Sequence, residues 1–173
     1  MMAPIVLFVY NRPAHTERTL SALKKNTLAQ ESDLIIYSDA AKTEAAFDAV
    51  ADVRRIIRDT TGFRSVTVRE AQSNKGLAAS IIDGVTSVIN EYGSAIVLED
   101  DIETSPYFLK FMNDALSKFQ GDERVWHISG WNYPIDLEGL PETFFWRVMN
   151  CWGWATWADR WRAFEKKPKA TSS

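Results

Sequence analysis

The sequence predicts an α/β fold with a mostly parallel central sheet flanked by helices. Three observations predict it. Short runs of strand length with apolar centres recur along the chain, "APIVLFVY", "DLIIYSD" and "SAIVLED", the first of them a continuous apolar run rich in β-branched and aromatic residues. Segments with helical spacing separate them. The chain has 173 residues, 46% apolar and 25% charged, which suits one domain with a full core.

Taken in order, "APIVLFVY" reads as a strand buried on both faces, and Asn11-Arg12-Pro13 breaks it. Residues 14–26 read as a helix with Leu20 and Leu23 inward, and residues 33–38 as a second strand. Residues 44–59 read as a helix with Phe47, Val50, Ile56 and Ile57 on its apolar side, and Gly62 follows its end. "SVTVRE" alternates as a third strand, and "NKGLAASIIDGVTSVINEYG" is a helix that Gly93 terminates. "SAIVLED" is the fourth strand. Ser105-Pro106 reads as a cap and first helical position for a helix burying Phe108, Phe111, Met112, Ala115 and Phe119. "RVWHISG" is a fifth strand; a candidate strand "TFFWRVM" and a last helical piece over 155–165 follow.

Net charge is −3, so no basic footprint for nucleic acid is present. The single cysteine, Cys151, cannot form an internal disulfide, which fits a reducing compartment. No apolar run approaches the ~18 residues of a transmembrane segment. "APIVLFVY" is too short for a signal peptide and lacks a small-residue cleavage site. The expected location is cytoplasmic, with peripheral attachment at the inner face of a membrane left open.

In parallel sheets, ligands bind beyond the carboxyl ends of the strands, where loops and helix N-termini converge. The polar candidates fall there: Asn11 and Arg12 after the first strand, Asp39 after the second, Glu99 to Asp101 after the fourth, Ser129 to Asn132 after the fifth. Three consecutive carboxylates repel one another unless something positive joins them. Strand alternation would send Glu99 and Asp101 one way and Asp100 the other, so that two carboxylates share a magnesium or manganese ion. The competing reading is capping of the next helix, but Ser105 already offers a cap. Arg12 reads either as a surface residue or as a partner for an anionic nucleotide. Asp39 reads either as a loop acid or as an acceptor for the imide N–H of uracil. Gly76, after Lys75, permits close backbone approach.

His127 reads as a packed strand residue, and no zinc site, P-loop, GxGxxG or GxSxG pattern is present. All seven tryptophans lie between Trp126 and Trp161. They read as aromatic core or as a flat platform for sugar rings, and both readings can hold for different members.

A strand ending in "LEDD", then "IETSPYFLKFMNDAL", "VWHISGWN" and the aromatic "WGWATW" resembles glycosyltransferases of the GT-A fold. The likeness is to the Golgi N-acetylglucosaminyltransferase that starts N-glycan branching and to bacterial relatives of the family 2 type. "FVYNRPAHTERTLSAL" and "IIYSDA" are similar to the first two strand ends of those enzymes, and the likeness covers most of residues 3–161. It implies a single Rossmann-like GT-A domain over residues 1–173, with a donor half to about residue 130 and a partial acceptor half over 131–173 whose truncation is left open.

The resemblance also implies roles. Asp101 would bind Mn2+ or Mg2+ directly, and Glu99 and Asp100 would contact the sugar and ribose of a UDP-sugar donor. Arg12 and Asp39 would hold the base, with Asn11, Lys75 and Gly76 on the same donor side. Trp131, Asn132, Gly153 and Trp154 would line the sugar and the saccharide or glycan acceptor. The implied activity is metal-dependent, inverting transfer of a sugar to a hydroxyl. Such transfer needs a carboxylate base; after Trp154 the acids are Asp159 and Glu165, and Asp159 is the candidate. Neither sits clearly at the relatives' base position, so the chain is expected to bind donor and transfer poorly. Two other readings compete. A nucleotidyltransferase would carry a glycine-rich basic loop where "YNRPAHTERT" has no glycine. A carbohydrate-binding module built on the tryptophans would need neither "LEDD" nor Asp39.

Overall fold

The computed structural model describes residues 2–136 and 138–164. The elements are β1 (Ile5–Val9), α1 (Pro13–Lys24), β2 (Asp33–Ser38), α2 (Phe47–Arg58), β3 (Ser65–Glu70) and α3 (Leu77–Tyr92). They continue with β4 (Ser94–Glu99), α4 (Phe108–Phe119), β5 (Ile128–Ser129), β6 (Trp154–Trp157) and the short α5 (Ala158–Trp161). The strands form one sheet in the order β3-β2-β1-β4-β6-β5. The first four are parallel, with Ile5 opposite both Leu34 and Ile96. β6 then runs antiparallel to β4, and β5 antiparallel to β6.

The unbroken apolar runs do what they imply: every residue of β1 is buried. Alternate side chains feed two cores. Ile5, Leu7, Leu34, Ile36 and Leu98 pack against Leu23 of α1, Ile57 of α2 and Met112 of α4. Val6, Phe8, Ile35 and Val97 face the other way onto Val85, Val88 and Ile89 of α3. Each such fully buried side chain contributes about 1.5–3 kcal/mol. α3 ends where Gly93 turns left-handed at φ 83° and its N–H closes on the Ile89 carbonyl at 2.8 Å.

The connectivity positions the site. From β1 the chain moves outward to β2 and β3; α3 then carries it back past β1 to β4 on the other side. The reversal at β1, the topological switch point, leaves a crevice at the carboxyl ends of β1, β2 and β4, beside the start of α3.

Several expected details differ. Phe47 is exposed, because it opens α2 one turn ahead of the packed stripe; Val53 takes an inward place beside Val50 and Ile57. α4 starts at Phe108, not Pro106, and Ser105 makes no side-chain cap. The capping acceptor comes from another element: Asn26 at the end of α1 accepts the Leu109 N–H at 2.9 Å. The buried stripe of α4 is Phe108, Leu109, Met112, Ala115 and Leu116, leaving Phe111 exposed on its border and Phe119 partly covered. The strand expected over 124–130 shrinks to two residues, and "TFFWRVM" forms no strand. Residues 155–157, expected to open a helical piece, belong instead to β6, because the open side of β4 offers them ladder bonds and burial on both faces. Among the described residues no helix is long and apolar enough to cross a membrane.

Gly84 lets α3 lie directly on β1: a Cβ there would sit 2.7 Å from Phe8 Cε1 and 3.2 Å from Tyr37 Cε2. Alanine normally favours a helix by about 1 kcal/mol over glycine, yet overpacking a tight contact costs about 1–3 kcal/mol. Gly84→Ala is therefore expected to lower stability, by up to about 2 kcal/mol, in urea denaturation. A stabilised variant would show that α3 packs loosely.

Candidate functional site

The crevice holds a cavity of about 300 Å³. Its floor is apolar: Phe8 of β1 and Tyr37 of β2 stack with centroids 5.3 Å apart. One wall carries Arg12, Glu99 and Asp100, the other Asp39, Asn74 and Gly76. A second cleft of about 480 Å³ lies beyond the Asp39 loop, bordered by Phe47, Arg54 and Gln72. It is larger, but none of its lining residues is a carboxylate, so the chemistry centres on the first.

The acidic wall answers what positive group the three carboxylates meet. β4 stops at Glu99, and the Ile102 N–H bonds back to the Glu99 carbonyl at 3.3 Å, so Asp100 and Asp101 lie in a turn. The expected strand alternation does not apply to them. Asp100 is buried at 3% exposure, Glu99 is half-buried and Asp101 is exposed. Arg12 bridges the two aspartates: Nη2 donates to Asp100 Oδ1 and Nη1 to Asp101 Oδ2 at 3.0 Å. The Tyr10 N–H also donates to Asp100, at 3.3 Å. From beneath, the Thr19 hydroxyl donates to the Asp100 carbonyl at 3.0 Å. Burial pushes the Glu99 carboxyl above its ordinary range; Asp101 and Asp100 add to this, and Arg12 opposes it. Burial also works against the Arg12 charge, but its bonds to Asp100 and Asp101 outweigh that and hold its pKa above the usual value.

On the opposite wall Asp39, at 8% exposure, accepts four donors. They are the N–H groups of Ala40 (2.8 Å), Lys75 (2.9 Å) and Gly76 (2.9 Å) and the Asn74 side-chain amide (3.0 Å). A carboxylate has about four lone-pair directions, so in this structure Asp39 clamps the end of β2 to the start of α3. Gly76 holds φ 76°, which favours glycine. The Lys75 ammonium turns away to Asp83 at 3.0 Å, and only its backbone serves this wall. Asn11 sits in the bend after β1 without lining the cavity. Sequence reasoning missed Tyr10, Tyr37, Lys42, Asn74 and Ser80, all of which line it. The available signal was position: each lies within a few residues of a strand end or of the glycine turn.

The tryptophans divide. Trp154 and Trp157 are buried, and Trp154 packs in the core on the α3 side, so it is no acceptor surface. Trp131 lies 4.5 Å from Trp152 and 5.0 Å from Tyr133 between ring centroids, and Trp152 and Tyr133 are more than half exposed. Val97 pairs with Trp154, so Trp152 comes level with Glu99 at the rim of the crevice. The Gly130 N–H donates to the Gly153 carbonyl at 2.8 Å and ties the two arms of this rim together. Both glycines are required: a Cβ would lie 2.5 Å from Phe108 at Gly130 and 3.1 Å from it at Gly153. Asn132 is exposed on the same arm.

Asp159 is not at the site. Because β6 is antiparallel, Trp157 pairs with Ser94 at the far end of β4, and the Ala158 N–H bonds to the Gly93 carbonyl at 2.9 Å. Asp159 is thus about 17 Å, the length of β4, from the acidic turn. Its carboxylate pairs with Arg160 at 2.5 Å, which lowers its pKa, the reverse of what a general base needs. Glu165 lies outside the described residues.

Among the described residues no group of three or more His, Cys, Asp or Glu could hold a metal ion unaided. The donor set still fits magnesium or manganese, because such ions take one or two carboxylates and complete their shell with substrate phosphates and water. Asp101, exposed and 3.0 Å from the Arg12 guanidinium of the cavity wall, is a suitable single oxygen donor.

The sequence model of the GNT-I family matches residues 1–170, and the chain belongs to that family. No curated protein matches the sequence. Among solved structures, it is similar to the mannosyltransferase PcManGT from Pyrobaculum calidifontis in complex with GDP-Man and Mn2+. The TM-score is 0.58 and the identity 14%, over 92% of this chain and 46% of that one. It is also similar to S. aureus TarS 1–349, with TM-score 0.57 and 13% identity over 90% of this chain and 47% of that one. The same TarS fragment in complex with UDP gives 0.56 and 12%, over 89% and 46%. The chain spans just under half the length of these structures. At such identities the likeness is one of fold, and it is the α/β fold the sequence predicts.

Asp39→Ala removes the acceptor of the Lys75 and Gly76 amides. Bonds to a charged acceptor contribute about 1.5–3 kcal/mol each, so hydrogen exchange at these two amides is expected to rise about tenfold or more. Core amides of β1 and β4 should not change. Unaltered exchange at residues 75 and 76 would show that the turn holds without the clamp.

Proposed function

We propose that this member of the GNT-I family is a metal-dependent glycosyltransferase, using a UDP-linked sugar as donor and a saccharide hydroxyl as acceptor, with inversion. The observation that carries the reading is the crevice at the carboxyl ends of β1, β2 and β4. Its cavity of about 300 Å³ combines an apolar floor, an arginine and a half-buried glutamate, and the same arginine bonds the exposed Asp101. PcManGT with GDP-Man and Mn2+, and TarS with UDP, share the fold and support it.

In this reading the Phe8 and Tyr37 rings underlie the nucleoside. Arg12 gives charge-assisted bonds to phosphate oxygens. Asp101 is the one protein ligand of a divalent cation whose other ligands are phosphate oxygens and water. That cation, when bound, neutralises charge on the departing nucleoside diphosphate. Glu99, which lines the cavity, can accept a hydrogen bond from a sugar hydroxyl. Trp131, Trp152 and Tyr133 at the rim offer flat faces to a saccharide acceptor. Asp159, at the far end of β4, takes no part in this reading. A reducing, cytoplasmic location accords with the exposed free thiol of Cys151.

Calorimetry with UDP and with GDP, each with and without Mn2+, tests the reading. UDP binding is expected to need Mn2+ and to weaken about tenfold or more in Asp101→Asn, which keeps the shape and removes the ligand charge. Undiminished UDP affinity in that variant would refute the metal role of Asp101. Failure of both nucleotides to bind in any combination would refute the function.

A further inference from the structure

The acidic turn already holds a cation of its own. Arg12 donates to Asp100 and Asp101 together, and among the described residues it alone hydrogen-bonds the Asp101 carboxylate. The two aspartates are not equivalent. Asp100 is nearly inaccessible and keeps the Tyr10 N–H when Arg12 leaves; Asp101 is 45% exposed and keeps no such partner. The Arg12 side chain is itself 43% exposed. Its backbone, by contrast, is anchored: its carbonyl accepts both the Thr16 N–H and the Thr16 hydroxyl at 3.0 Å, and Pro13 follows it into α1. The guanidinium can therefore swing on a fixed base.

We propose that Arg12 is the resident counter-cation of this site and couples metal binding to diphosphate binding. The inference rests on the reading of Asp101 as metal ligand. A divalent cation approaching Asp101 must displace one charge-assisted bond and come within a few ångströms of the guanidinium, so metal alone binds poorly. A diphosphate arriving alone meets Arg12 already engaged, and beside it three carboxylates. Together the two ligands resolve both conflicts. Phosphate oxygens take over the guanidinium, Asp101 is released to the metal, and the metal offsets the repulsion between phosphate and carboxylates. Each ligand then raises the other's affinity by the same factor, as linkage requires.

The test uses Mn2+ alone, followed by the loss of its free-ion electron paramagnetic resonance signal, on the full chain. Arg12→Gln removes the charge at an exposed position. It should bind Mn2+ without nucleotide about tenfold more tightly than the unaltered chain, the scale of one unit charge at this range in partly solvated surroundings. Arg12→Lys, which keeps the charge, should remain close to the unaltered chain. Inorganic pyrophosphate without metal should bind Arg12→Gln more weakly. Asp101→Asn combined with Arg12→Gln should abolish the gain in Mn2+ affinity. If the chain binds Mn2+ in the presence of UDP but Arg12→Gln binds Mn2+ alone no more tightly, the coupling is refuted while the function stands. If no protein binds Mn2+ even with UDP, the metal reading itself fails and the inference with it.

Discussion

A buried aspartate at the end of a buried strand is the constraint on which the site depends. Asp100 cannot be stripped of water at the carboxyl end of β4 unless donors reach it. The donors come from β1 and its turn: the Tyr10 N–H and the Arg12 guanidinium. Satisfying one buried charge thus ties the loop after β1 to the turn after β4 and makes of them one wall of the crevice. Loss of a partner from a fully buried pair costs about 3–5 kcal/mol; the exposure of Arg12 to water reduces that here. α1 reinforces the joint through Thr19 on the Asp100 carbonyl and Asn26, which donates to the Thr104 hydroxyl at 3.0 Å and caps α4. The acids are thereby held by a rigid helix and not by a free loop.

The opposite wall obeys the same logic with reversed roles. There a carboxylate, Asp39, gathers the orphan N–H groups that precede α3 and thereby shapes the backbone around Gly76. One wall presents a cation beside acids; the other presents a turn pinned by an acid. Between them the stacked Phe8 and Tyr37 rings give a surface suited to a nucleoside and unsuited to a bare ion.

The parallel half of the fold was legible in the sequence because its strands are buried on both faces. β1, β2 and β4 declare themselves as unbroken apolar runs, and the polar residues that follow them must fall at one edge. The cluster of Arg12, Glu99, Asp100 and Asp101 was found by that rule. What the rule cannot give is pairing. That Arg12 would reach the aspartates depends on β1 and β4 being neighbours, which no local pattern states. The orientation of β6 was illegible for the same reason: "WATW" pairs with β4 through long-range ladder bonds, and its antiparallel direction alone removes Asp159 from the site and Trp154 from its surface. Asn26 as a cap for α4, from 83 residues away, is a further case of a tertiary partner supplying what Ser105 was expected to supply.

The central claim is that the crevice at the carboxyl ends of β1, β2 and β4 receives a nucleoside diphosphate with its metal. The most direct measurement is backbone amide chemical-shift mapping of the chain titrated with UDP and Mg2+. The account predicts the largest shifts at Tyr10, Arg12, Gly76 and Asp101, with the Phe47–Arg54–Gln72 cleft little affected. Shifts centred on that second cleft, or confined to the aromatic rim at Trp131 and Trp152, would contradict it.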